Sequence, residues 1–121
     1  MPESWVMTDV RAGYGASSVI DIHGELHACA EHSLMDAYDN AAEAGSNVII
    51  LNFADTHSLD RDGIGLVVTL LSQADEQQRR LLAIGLSDSC REIFELTRLD
   101  QMISVYPSES EALSTLRTMA A

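Results

Sequence analysis

Residues 47–71 constrain the fold of this chain more than any other stretch. Asn47-Val48-Ile49-Ile50-Leu51-Asn52-Phe53 is a near-continuous apolar run, residues 54–62 are polar and rich in Asp, Ser and Thr, and Gly63-Ile64-Gly65-Leu66-Val67-Val68-Thr69-Leu70-Leu71 is apolar again. That order predicts a strand buried on both faces, a polar turn, and a helix opening on two glycines. In open α/β sheets, ligands and partners collect beyond the carboxyl ends of the strands, and the free N–H groups of a helix start carry partial positive charge. The recognition site is therefore expected at this turn.

The flanking sequence completes a sheet. Residues 5–11 alternate as a strand, and residues 18–23 form a second with Val19, Ile20 and Ile22, closed by Gly24. Gly13-Tyr14-Gly15 between them predicts a hairpin. Over residues 28–44 the period becomes helical, with Ala30, Leu34, Tyr38 and Ala41 or Ala42 at intervals of three or four and Gly45 as the stop. A helix between two strands implies a right-handed crossover into a parallel pair.

Past the central turn, Ile64, Val67, Val68 and Leu71 recur on one helical face, widened by Leu70 and Ala74. Residues 81–86 form a short strand, after which Ser87 or Asp88 caps a helix carrying Ile93, Phe94, Leu96 and Thr97. Leu99, Met102, Ile103 and Val105 lead into a last strand broken at Pro107. Ser108 and Glu111 then open a final helix with Ala112, Leu113, Leu116 and Met119. The order β-β-α-β-α-β-α-β-α defines an α/β domain with a mixed, mostly parallel sheet of about five strands and about four helices.

Composition narrows the function. A chain of 121 residues, 46% hydrophobic and 21% charged, is the size and balance of one globular domain spanning residues 1–121. No apolar run approaches the roughly 20 residues that cross a bilayer, and the first residues lack the basic flank and apolar block of a signal peptide, so a cytoplasmic location is expected. Net charge is -12 and every basic residue is arginine. Nucleic acid and anionic membrane surfaces reward clustered cations, which argues against both as partners and against membrane insertion. Acidity permits a basic protein partner, or serves solubility alone. Cys29 and Cys90 fall in separate predicted helices and read as free thiols.

With the elements in order, the chain resembles a STAS domain, the module of anti-sigma factor antagonists and of sulfate transporter tails. The resemblance rests on residues 48–53 followed by Leu59-Asp60-Arg61-Asp62-Gly63-Ile64-Gly65-Leu66, on residues 91–100 containing Leu96-Thr97-Arg98-Leu99, on the ending from Val105 to Leu113, and on Gly24-Glu25-Leu26. It implies a partner-switching protein that docks an anti-sigma factor that is also a serine kinase. Asp60, Arg61, Asp62, Gly63, Ile64 and Gly65 would be the contact residues. It also implies a phosphorylated Ser where this chain has Arg61, with Asp62 where a second Ser often stands. Arginine cannot accept the phosphoryl group, so regulation at residue 61 is lost. Ser58 and Thr56 are the alternative hydroxyls, although such side chains in loops more often bond the backbone or cap a helix. Arg98 replaces a frequent family Gly, at a helix end that then lacks an easy left-handed residue.

Other chemistry has weaker support. His23, His27, Cys29 and His32 crowd together, but they straddle a strand and a helix without a second ligand pair, and no metal site is expected. His57 stands near Asp55, Asp60 and Asp62 without any nucleophile elbow or P-loop, so neither an enzyme nor a cofactor is expected. Two alternatives stay open: a soluble STAS subunit of a membrane lipid-transport complex, and a small-ligand sensor or scaffold domain. A homodimer is also left open.

Overall fold

A computed structural model describes residues 6–12, 17–27 and 30–120. The predicted Gly13-Tyr14-Gly15 turn, Trp5 and Cys29 lie outside the described residues, as do the side chains of Leu116 and Met119. The described elements are β1 (Val6–Ala12), β2 (Ser17–Leu26), α1 (Glu31–Glu43), β3 (Val48–Leu59), α2 (Arg61–Glu76), β4 (Arg80–Ile84), α3 (Asp88–Leu96), α4 (Leu99–Met102), β5 (Ser104–Tyr106) and α5 (Glu109–Ala120). One sheet runs in the order β1-β2-β3-β4-β5. β1 is antiparallel to β2, and the β2–β3, β3–β4 and β4–β5 pairs are parallel.

Strict sequence order in a parallel sheet sends consecutive right-handed crossovers over the same face. On that face Ile20, Ile22, Ile49, Leu51, Phe53 and Ala83 meet Leu34 and Tyr38 of α1, Leu66, Val67 and Leu70 of α2, and Phe94 of α3. The alternate residues Val19, Ile50, Leu82 and Ile84 point the other way, where Ala112 and Leu113 of α5 cover them. The first half of β3 is therefore covered on both faces, and this is why residues 48–53 read as an unbroken apolar run instead of alternating. Where α1 hands over to β3, a polar clasp holds the exit of α2. Tyr38 Oη donates to Gln77 Oε1 at 2.9 Å, and the Arg79 guanidinium donates to the carbonyls of Ser46 and Ala42. Burial pushes the Tyr38 phenol up, with Arg79 opposing.

Several boundaries differ from the sequence reading, among them the ends of β2, β3 and β4 and the approach to β5. β2 does not close at Gly24 but continues to Leu26, and β3 does not stop at Phe53 but continues to Leu59. The segment read as a polar turn is thus mostly strand. The pairs His23 with Asp55, Gly24 with Thr56, Glu25 with Ser58 and Leu26 with Leu59 extend the ladder through two register shifts. Those irregularities turn the burial period of β3 from two to three, with Phe53, Thr56 and Leu59 inside. Neither a strand nor a helix template matches that spacing. Further along, Leu99 and Met102 belong to the four-residue helix α4, and the last strand is only Ser104–Tyr106.

Of the two candidate caps for α3, Ser87 is the one used: its Oγ accepts from Cys90 N at 3.2 Å. Ser108 Oγ likewise accepts from Glu111 N at the start of α5. Cys90 is a free, buried thiol. The helix end near Arg98 is resolved by strain: Arg98 itself takes the left-handed conformation, φ 63° and ψ 20°, to turn α3 into α4. An L-residue there carries a steric penalty on the order of 1 kcal/mol that glycine does not. Arg98→Gly is expected to raise unfolding free energy by about 0.5–1 kcal/mol in urea titration. A loss of stability would show that the arginine side chain contributes more than its backbone costs.

Candidate functional site

The prolonged β2–β3 pair sets the entry of α2. Asp60 is the N-cap: its Oδ1 accepts from Gly63 N at 2.8 Å, and its own N–H donates to the Leu26 carbonyl at 3.3 Å. Gly63 is buried against the same place, since a Cβ built on it would lie 2.2 Å from Leu26 O. The helix start is thus pressed onto the end of β2, and only glycine allows that approach. Two residues on, Gly65 is exposed, and a Cβ there would meet nothing within 4 Å. The two glycines serve different ends. Gly63 packs the fold, whereas Gly65 leaves the outer surface of α2 bare.

Around Gly65 the surface is open. Asp55, His57, Ser58, Asp60, Arg61, Asp62 and Thr69 are exposed, Ile64 is half-buried, and Val68 is 40% exposed one turn further along α2. The triplet Asp60-Arg61-Asp62 carries one net negative charge. Asp60 is committed to the cap, and among the described residues no side chain pairs with the Arg61 guanidinium. Of the six predicted contact residues, Asp60, Arg61, Asp62 and Gly65 are exposed, and Ile64 is half-buried and packs against the core. Gly63 is turned inward, so a bulky residue at 63 would disrupt the fold rather than test docking.

The two alternative hydroxyls separate as well. Thr56 is buried, and its Oγ1 donates to the Ile22 carbonyl at 2.9 Å, pinning β3 to β2. Ser58 is exposed. The histidines also disperse. His23 bonds Asp55 across the strands at 2.7 Å, His32 lies 3.2 Å from Asp36 along α1, and His57 reaches Asp55 only at 4.0 Å. Among the described residues no three His, Cys, Asp or Glu side chains converge on a metal position. No spacing in the sequence signals the His23–Asp55 pair, whereas the Thr56 bond is of the backbone kind expected for such a hydroxyl.

A five-stranded mixed sheet in sequence order, with helices α1–α3 on one face and α5 on the other and a glycine-bearing helix start beyond the central strand, defines the class of α/β domain. The family model described as "STAS domain" matches residues 8–112, and the chain belongs to that family. The anti-sigma-B factor antagonist of Staphylococcus aureus is 26% identical over 86 residues, covering 71% of this chain and 80% of the relative. The fold is shared with the crystal structure of an anti-sigma factor antagonist from Mycobacterium paratuberculosis (TM-score 0.82, 18% identity, 96% of this chain and 97% of that one). It is also shared with a sulfate transporter family protein from Wolinella succinogenes (TM-score 0.78, 16% identity, 91% and 92%). Among the described residues no helix is long and apolar enough to cross a membrane.

Proposed function

We propose that this chain is a regulatory protein-binding module, not an enzyme, and that it docks a kinase-type anti-sigma factor in the cytoplasm through the face formed by Ser58, Arg61, Asp62, Ile64, Gly65 and Val68. The observation that carries the reading is Gly65: an exposed helical position at which a Cβ would meet nothing within 4 Å, flanked by a half-buried Ile64 and followed one turn on by an exposed Val68. Such a bare strip lets another backbone approach a helix closely. Glycine in an exposed helix costs about 1 kcal/mol relative to alanine, a cost that a docking role offsets.

Arg61 occupies the position at which the family resemblance places a phosphoserine. Phosphorylation there would add about -1.5 to -2 charges to a partner-facing helix start and so eject a complementary surface. A guanidinium holds the position at fixed positive charge instead. With no side-chain partner among the described residues, it is placed to meet a carboxylate across the interface. The module is therefore not switched at residue 61, and Ser58 is the exposed one of the two alternative hydroxyls.

Titration calorimetry against the source organism's kinase-type anti-sigma factor should give a 1:1 complex. Gly65→Trp should weaken it roughly 100-fold while leaving the unfolding midpoint unchanged or raised. Unchanged affinity would remove Gly65 from the interface. Incubated with that kinase and ATP, the wild-type chain should carry no phosphate on residue 61, whereas Arg61→Ser should gain it. Phosphate on Ser58 would mark a relocated switch. Recovery of an ATPase transport subunit in place of an anti-sigma factor would favour a transporter role.

A further inference from the structure

A cavity of about 250 Å³ lies at the other end of the sheet's carboxyl edge, beyond β4 and β5 and against α3. Its apolar lining is Leu86, Phe94, Val105 and the exposed Pro107. Its rim is charged, with Arg91 and Glu95 one turn apart on α3, Asp100 on α4, and Tyr106 ending β5. None of the three charged groups forms an ion pair or side-chain hydrogen bond among the described residues. The order Arg91 then Glu95 along the helix is the weaker orientation for an i,i+4 pair, and no contact within 4.0 Å forms between them.

An apolar lining with one guanidinium and two carboxylates at its rim has a chemical complement. The guanidinium suits a carboxylate, which it can grip with two parallel N–H donors. The carboxylates suit an ammonium group, and two of them leave one unmatched even when Arg91 is occupied. The volume falls below the range for drug-sized ligands, which limits the occupant to a small metabolite. Crevices beyond the carboxyl ends of parallel strands are where open α/β sheets hold such molecules.

We infer that this cavity binds a free apolar α-amino acid, its carboxylate on Arg91, its ammonium between Glu95 and Asp100, and its side chain against Leu86, Phe94, Val105 and Pro107. The inference is independent of the docking face on α2. Because the chain as a whole is acidic, a cation alone would be drawn to the rim, and the zwitterion has to be distinguished from its halves.

Calorimetry and amide chemical-shift titration with L-phenylalanine and L-leucine test this, with phenethylamine, 3-phenylpropionate and N-acetylphenylalaninamide as comparisons. A dozen-atom ligand in a half-open site is expected to bind at about 1 mM or tighter, with shifts confined to residues 86–107. Arg91→Gln should weaken phenylalanine about tenfold and leave phenethylamine unchanged, whereas Asp100→Asn should weaken both amines and leave 3-phenylpropionate unchanged. N-acetylphenylalaninamide should not bind. The inference is overturned if neither amino acid shifts these resonances at about 10 mM. It is equally overturned if phenethylamine binds as well as phenylalanine, which would reduce the site to an acidic rim attracting cations.

Discussion

Phe53→Ala should lower the free energy of unfolding by about 3–5 kcal/mol, the range for truncating a fully buried aromatic residue. Phe53 is wholly inaccessible, and its ring meets that of Phe94 edge to face, centroids 5.7 Å apart and planes at 76°. The substitution removes the apolar transfer energy, leaves a cavity under α3, and forfeits an aromatic pair worth about 0.5–1.5 kcal/mol. Typical domains are stable by only 5–15 kcal/mol, so the variant should sit near the edge of folding at 37 °C. Urea unfolding followed by circular dichroism reads the change directly. A loss below about 1 kcal/mol would mean that the site collapses around the missing ring.

The second large effect separates two glycines that look alike in sequence. Gly63→Ala places a methyl group 2.2 Å from the Leu26 carbonyl oxygen and 2.9 Å from its carbon, so the first turn of α2 has to move off β2. Backbone, unlike the end of a flexible side chain, cannot swing aside, and an overpacked site of this kind costs about 2–3 kcal/mol. The displacement also pulls on the two hydrogen bonds of Asp60, to Leu26 O and from Gly63 N. Gly65→Ala adds the same methyl to empty space and should stabilise by about 0.5–1 kcal/mol through helix propensity. Measured side by side by urea titration, the two variants should move in opposite directions. If both destabilise, Gly65 is not the open position its surroundings indicate.

How far residues alone reveal this fold follows from which interactions are local. Val48 to Phe53 read as a buried strand because both faces of the first half of β3 are covered, a condition that leaves a continuous apolar run. The stripe Ile64, Val67, Val68 and Leu71 read as a helix for an equally local reason, although Val68 turned out to face outward. The continuation of β3 to Leu59 was hidden because its partner, the end of β2, lies more than 30 residues away, and two register shifts replace the period of two by one of three. Thr56 bonds the backbone, as hydroxyls in such segments usually do, but its particular partner, a carbonyl on another strand, is not legible from spacing. Helix α4 escaped notice because Leu99 and Ile103 are both buried, a pattern that a four-residue helix and a strand approach share.

The candidate site was legible in part. Arg61 is exposed, as its place in a polar segment ahead of a helical stripe suggests, whereas the role of Asp60 as the cap of α2 emerges only from the structure. The division of labour between Gly63 and Gly65 was not legible, because it depends on Leu26 O, a single backbone atom contributed by a different strand. The cavity at Arg91, Glu95 and Asp100 had no sequence signature at all. Its walls come from α3, α4 and the end of β5, brought together only by the turn at Arg98.

Docking through the start of α2 is the claim on which the functional account stands. Amide chemical-shift mapping of the isotope-labelled chain, titrated with the source organism's kinase-type anti-sigma factor, tests it most directly. The account predicts that the largest changes fall on residues 57–69, with Gly65 and Val68 among them and α5 unmoved. Changes concentrated on α5 or on the outer edge of β1, with residues 57–69 unaffected, would contradict it.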